Sequence, residues 1–130
     1  MTMSEHPVVD GIFTIDPLAL LGAHCDACDQ YSFPRLSQCP YCGAEDVHAV
    51  ALSDHGTLWG WTTVTTAPPG YLGAVPYGFG VVELPEGVRI VTRLAVPSEH
   101  WTFGQPMALR SVALHTDDAG DAVITWEFAP

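Results

Sequence analysis

The stretch HCDACDQYSFPRLSQCPYCG, residues 24–43, contains all four cysteines of the chain in two Cys-x-x-Cys pairs, with ten residues between the pairs. Four thiols at this spacing serve a structural ion, a redox metal, a haem or a pair of disulfides, and the neighbouring residues decide among them. A c-type haem needs histidine directly after the second cysteine of a pair, where this chain has Asp29 and Gly43. A thioredoxin-like pair needs a helix opening after a strand in a βαβ pattern, which the flanking sequence does not supply. Disulfides are disfavoured in a reducing compartment. A tetrathiolate metal site is left, with Cys25, Cys28, Cys39 and Cys42 as its ligands.

The spacing has a direct physical reason. Two residues between cysteines let a tight turn aim both sulfurs at one point, about 2.3 Å from a zinc ion. Gly43 suits the positive φ that closes such a turn, and Asp29 at the equivalent place tolerates it. CPYCG resembles a rubredoxin iron knuckle, but rubredoxins separate their knuckles by a much longer stretch. A ribbon this short has no core of its own and folds on the free energy of metal binding, about 10 kcal/mol or more for structural zinc. Four thiolates also close the coordination sphere, leaving no place for water or substrate. One structural zinc per chain is expected, and the cysteines hold shape.

Outward from the ribbon the pattern changes. Upstream, DPLALLGA (16–23) predicts a short helix, with Asp16 as N-cap, Pro17 at the first helical position and Gly22 as stop, after a loose acidic lead-in. Downstream, VHAVALS, GTLWGWTTVT, YGFGVVELP, VRIVTRLAV, PMALRSVALHT and AVITWEFA predict strands, with turns at PEG (85–87) and DDAGD (117–121). Five or six short strands with no helix between them predict a small barrel of the OB type, with an open sandwich as the alternative. The expected organisation is a lead-in and short helix over 1–23, a rubredoxin-like zinc ribbon over 24–46 and an OB barrel over 47–130, mainly β overall. Trp59 and Trp61 alternate with Leu58 and Gly60, so one set is expected to fill the barrel and the other to face the ribbon or a partner, with Trp101 and Trp126 in the core.

Charge narrows the function. Fifteen acidic residues face only four arginines and no lysine, a net charge of −11 at pH 7. That balance repels phosphate backbones and anionic lipid, against nucleic-acid and membrane roles. The start of the chain has neither a basic region nor an apolar run like those of a signal peptide, so the cytoplasm is the expected compartment. Charged residues are only 15% of the chain, which predicts apolar surface reserved for a partner. No catalytic set is visible. The metal claims every cysteine, and histidines 6, 24, 48, 55, 100 and 115 follow no catalytic spacing. His24, beside the first cysteine, is a competing ligand at most.

The order of LLGAHCDACDQYSFPRLSQCPYCG, GTLWGWTTV, a proline-rich loop ending PYGFGVVELPEGVRIVTRL, and FGQPMALRSV resembles the zinc-ribbon/OB-fold family known as domain of unknown function thirty-five, over about residues 17–130. The resemblance implies a non-catalytic accessory subunit of enzymes acting on acyl-CoA thioesters. Its partner would be of the thiolase superfamily: a thiolase, an acyltransferase or a steroid side-chain aldolase. It further implies a hetero-oligomer, a heterotetramer if the partner is dimeric, in which the barrel helps shape the acyl-CoA site and coenzyme A is a ligand of the complex. The alternatives are a single-stranded nucleic-acid module, a stand-alone acyl-CoA-binding protein and, with iron in the thiolate site, an electron carrier.

Candidate contacts for acyl-CoA or the partner follow from chemistry. Arg89 and Arg93 share one face of VRIVTRL and suit a diphosphate, or else pair locally with Glu83, Glu86 or Glu99. Arg35, at the ribbon tip, suits an interface anchor. Pro69, Tyr71, Leu72 and Tyr77, in the loop 67–77, either line an acyl passage or fold over the end of the barrel.

Overall fold

The computed structural model describes residues 4–130; residues 1–3, at the head of the lead-in, lie outside them. Ten strands form two sheets: β1 (Glu5–Pro7), β2 (Phe13–Ile15), β3 (Leu18–Cys25), β4 (Tyr31–Ser32), β5 (Val47–Ala51), β6 (His55–Val64), β7 (Tyr77–Glu83), β8 (Arg89–Leu94), β9 (Pro106–Thr116) and β10 (Ala122–Ala129). There is no helix among the described residues, and so none that would cross a membrane.

The barrel is closed by five strands. Its sheet runs β10-β8-β7-β6-β9, and β9 pairs back onto β10, so the ring has no free edge. Alternation of side chains explains its interior. Along β8, Ile90, Thr92 and Leu94 are buried while Arg89 and Val91 are exposed, as a half-buried strand requires. Leu58, Val82, Met107 and Phe128 join them in one core. The Thr92 hydroxyl inside that core accepts the Trp126 indole N–H at 3.0 Å, which satisfies both groups. Trp61, Trp101 and Trp126 pack half-buried against the core. The predicted turns both form: Leu84 N–H donates to Val88 O at 2.9 Å around PEG, and Asp117 N–H to Asp121 O at 2.9 Å around DDAGD.

The predicted helix over 16–23 is absent. Asp16 and Pro17 instead turn the chain between β2 and β3, where Phe13 stands opposite Leu20. Eight mostly apolar residues fit a short buried strand as well as a short helix, and here pairing decides. β3 is bonded to β2 and β4 along one side and to β5 along the other, so tertiary pairing overrides the capping signal. Gly22 is no helix stop. A Cβ there would lie 2.5 Å from Ser32 O and 2.9 Å from Leu52 Cδ1, so it is the place where β4 and the β5–β6 link press onto β3. Within the lead-in, β1 pairs parallel to β10, with Val8 N–H donating to Ile124 O at 2.8 Å.

VHAVALS belongs to the ribbon rather than the barrel, because β5 pairs with β3 from Leu21↔Ala51 to Cys25↔Val47. The two sheets share one apolar core, since Phe13, Leu20 and Leu52 cluster with Leu58, Ile90 and Phe128. Phe13 lies 5.0 Å from the Trp126 ring, and Phe33 meets the same ring edge-on at 6.0 Å. Glu86 fastens the seam by accepting the N–H and hydroxyl of Ser53 at 2.8 and 3.1 Å.

Candidate metal centre and its surroundings

Two turns of identical hydrogen bonding carry the thiols. In the first, Asp29 N–H donates to Cys25 O at 2.8 Å and Cys25 N–H to Gln30 O at 2.9 Å. In the second, Gly43 N–H donates to Cys39 O and Cys39 N–H to Ala44 O, both at 2.9 Å. Each turn closes on a left-handed residue, Asp29 at φ 63° and Gly43 at φ 79°. The hairpin of β3, β4 and β5 brings the turns face to face.

The four sulfurs then converge. Cys25 Sγ lies 3.7 Å from Cys42 Sγ and Cys28 Sγ 3.6 Å from Cys39 Sγ, and all four lie within 4.8 Å of one another. A zinc–sulfur bond of about 2.3 Å implies a tetrahedral edge of about 3.8 Å, so the donor set fits zinc in both size and chemistry. Burial pushes the Cys28 thiol up to about 12. At Cys39 burial also acts upward, but the N–H groups of Cys42 and Tyr41 and the Cys28 contact outweigh it and bring the thiol down to about 7. One ligand is thus readily deprotonated, and a cation supplies the charge that holds the others as thiolates. His24 stands outside the cluster, on the opposite face of β3 from Cys25, with its Nε2 2.6 Å from Asp29 Oδ1.

The remaining candidates fall in three places. Arg35 is exposed at the ribbon tip and is in no ion pair among the described residues. Arg89 donates to Glu83 at 3.0 Å and stacks over Trp59 with its guanidinium carbon 3.6 Å from the ring centroid. Arg93 donates to Tyr71 Oη at 2.9 Å and to Glu127 at 3.2 Å. Tyr71 and Tyr77 stack at 4.9 Å and anchor the loop against Arg93, while Pro69 and Leu72 are left exposed.

Some features of the site were not read from the sequence. Glu127 is 4% exposed and links Arg93 to Arg110, whose Nε donates to it at 2.6 Å. A lone acid in the apolar strand AVITWEFA was the available signal. Trp59 sits at an irregularity between Leu58 and Gly60, an extra residue that breaks the alternation, so that Trp59 faces outward onto Arg89 and Phe103 while Trp61 packs against the core. Phe79 and Val91 also lie on the outer face of β7 and β8, at positions 42% and 62% exposed. Between the ribbon tip and this barrel edge lies a cleft of about 490 Å³, lined by Phe33, Leu36, Pro40, Tyr41 and Arg89.

Known proteins resemble both parts. Residues 17–48 match the rubredoxin-like zinc ribbon domain of ChsH2, and residues 49–112 match its C-terminal OB-fold domain. The benzoylsuccinyl-CoA thiolase subunit BbsA of Thauera aromatica is 39% identical over 75 residues, 58% of this chain and 51% of BbsA, so this chain spans about half of that relative. A DUF35 domain-containing scaffold protein of Methanocaldococcus jannaschii is 28% identical across 84% of this chain and 78% of its own length. Among solved structures, a chain of the Ltp2-ChsH2(DUF35) aldolase superposes with a TM-score of 0.67 at 26% identity, covering 86% of this chain and 84% of that one. Ribbon and barrel are matched in unbroken succession from residue 17 to residue 112, and the chain belongs to the ChsH2 family of zinc-ribbon/OB-fold proteins.

Proposed function

We propose that the chain is a non-catalytic subunit that docks onto a thiolase-like enzyme, one making or breaking carbon–carbon bonds of acyl-CoA thioesters, and helps shape its acyl-CoA site. The observation that carries this reading is the match of both halves to proteins named as parts of such enzymes, a benzoylsuccinyl-CoA thiolase subunit and an Ltp2-ChsH2 aldolase. The site chemistry agrees with it. All four cysteines meet in the ribbon, which leaves no thiol free as a nucleophile. Zinc there is structural, and the partner supplies the reacting groups.

The docking surface in this reading is the outer face of β6, β7 and β8. Phe79, Val91, Trp59 and Phe103 expose apolar area on and beside it, ringed by Arg89 and Glu83. OB barrels also use this region for oligonucleotides. Here Arg89 and Arg93 are already held by Glu83 and Glu127, and the chain's net charge is −11, so a protein surface suits this face better than a phosphate backbone. In this reading the exposed Pro69 and Leu72 reach the acyl passage of the partner, and a dimeric partner gives a heterotetramer in the cytoplasm.

Co-expression with a thiolase-fold protein from the same genome tests the reading. The two are expected to co-elute on gel filtration, and the partner to lose activity or solubility alone. Clean separation, with the partner fully active by itself, overturns it.

A further inference from the structure

His24, Asp26 and His48 form a second convergent set of ligands beside the thiolate cluster. Period two along β3 sends the His24 ring to the opposite face from Cys25. His48 stands directly across from it on β5, with the two rings 5.3 Å apart. Asp26, one residue past Cys25, reaches back between them. Its Oδ1 lies 3.4 Å from His24 Nδ1 and its Oδ2 lies 3.5 Å from His48 Nδ1. One ligand atom from each of the three residues falls within a 4.8 Å group.

These separations exceed a good hydrogen bond. Each imidazole nitrogen stands near a different Asp26 oxygen, at close to the ligand–ligand edge of about 3.3–3.4 Å set by bonds of about 2.0–2.1 Å, so a chelating carboxylate would share one ion with both rings. The support behind His24 points the same way. Its Nε2 lies 2.6 Å from Asp29 Oδ1, and a carboxylate only accepts, so Nε2 carries a proton and Nδ1 is the nitrogen turned toward Asp26. A carboxylate behind an imidazole is the usual orienting partner of a metal-binding histidine. It also gives a reason for aspartate at φ 63°, where the second knuckle uses glycine. The group His6, Asp117 and Asp121 is superficially similar but differs in kind, because His6 Nε2 and Asp117 are already closed into a 2.7 Å hydrogen bond.

We infer that His24, Asp26 and His48 form a second metal site, separate from the thiolates, for a divalent ion of the zinc, nickel or copper class, with coordination positions left open to solvent. The two imidazole donors select these ions over magnesium or calcium. The openness follows from exposure, with the Asp26 side chain 66% and that of His48 52% accessible. The thiolate site has no such free position.

The test uses the full chain with its thiolate site already loaded with zinc. Cobalt(II) is titrated in and followed by its visible absorption, and zinc per chain is counted by elemental analysis after equilibration with excess zinc. The expected result is one further saturable equivalent, with weak cobalt bands and no sulfur-to-cobalt charge-transfer band. His24→Ala with His48→Ala should abolish it while retaining one tightly held zinc, which reports a folded ribbon. Asp29→Asn should weaken it about 10-fold or more, and His6→Ala should leave it unchanged. Absence of a second equivalent at millimolar metal overturns the inference, as does loss of the second equivalent in His6→Ala or its persistence in the double variant.

Discussion

The ribbon tip and the barrel are both made of short strands, yet different forces hold them. Inside the barrel, Leu58, Val82, Ile90, Leu94, Met107 and Phe128 are each at most 2% exposed, a closed apolar interior. In the ribbon tip, residues 25–46, only Cys25, Ser32 and Cys39 are buried. Burial orders the one and coordinate bonds order the other. The root of the ribbon goes with the barrel, since Phe13, Leu20 and Leu52 sit in the barrel's own core. The line between metal-dependent and burial-dependent structure therefore cuts across β3 and does not follow the gap between the two sheets.

Metal removal is the severest way to break this contrast. Chelation, or Cys39→Ser, withdraws a contribution of about 10 kcal/mol or more from a segment with almost no core. Hydrogen exchange should show the Asp29 and Gly43 amides, which close the two knuckles, losing protection completely. The β7–β8 ladder from Gly78↔Leu94 to Glu83↔Arg89 should keep its protection. Collapse of the barrel together with the tip would mean that the two are one cooperative unit.

Leu20→Ala probes the shared root. The side chain is fully buried at 0% exposure, so truncation should cost about 2–5 kcal/mol in urea unfolding. Because Leu20 touches both sheets' apolar cluster, the loss should appear in ribbon and barrel probes alike. Leu36→Ala, at a residue 50% exposed on the tip, should stay within about 0.5 kcal/mol.

The same division governs what the sequence made legible. The thiolate site was readable to the residue, because metal geometry depends on local spacing. The five barrel strands and both turns were readable from period two and turn chemistry. The segment 16–23 was not, since Asp16, Pro17 and Gly22 satisfy local helix rules while the deciding partners, β2, β4 and β5, lie at other points in the chain. VHAVALS looked like a barrel strand for the same reason, and only its register against β3 assigns it to the ribbon. Glu83, the cross-strand neighbour of Arg89 on β7, was one of three local partners the sequence offered. Arg93 was not matched with Glu127, because that pair needs the closed barrel to bring β10 beside β8.

Removing Glu127 should have a smaller effect than removing Leu20. The carboxylate is 5% exposed and holds two arginines, but Arg93 and Arg110 are 24% and 54% exposed and can rehydrate. Glu127→Ala should therefore cost about 1–3 kcal/mol, and Glu127→Gln less. The sharper readout is the loop, because Arg93 also holds Tyr71 at 2.9 Å. Glu127→Ala should increase the mobility of residues 67–77 while leaving the thiolate site untouched.

The smallest expected effect lies where β1 joins the barrel. His6 Nε2 and Asp117 Oδ2 are 2.7 Å apart, with Asp121 adding to the local negative field. The hydrogen bond to Asp117 raises the His6 pKa above 6.5, so its contribution is full below pH 6.5 and fades as pH rises through the raised value. Asp117 is shifted the other way, below 3.8, chiefly by His6 and then by the Asp121 N–H. Its contribution is full above pH 3.8 and fades as pH falls through the lowered value. The clamp is complete only between these limits. After correction for intrinsic rates, protection of the Val8 and Ala122 amides, which bond to Ile124 O and Ser4 O, should peak in that window. His6→Asn should abolish the alkaline limb and shrink the acid one without removing it, because Asp117 loses its chief partner but would still accept the N–H groups of Ala119 and Asp121 at 3.0 and 2.9 Å. An unchanged alkaline limb in His6→Asn would mean that β1 is held by its backbone ladder to β10 and that the ion pair adds nothing measurable.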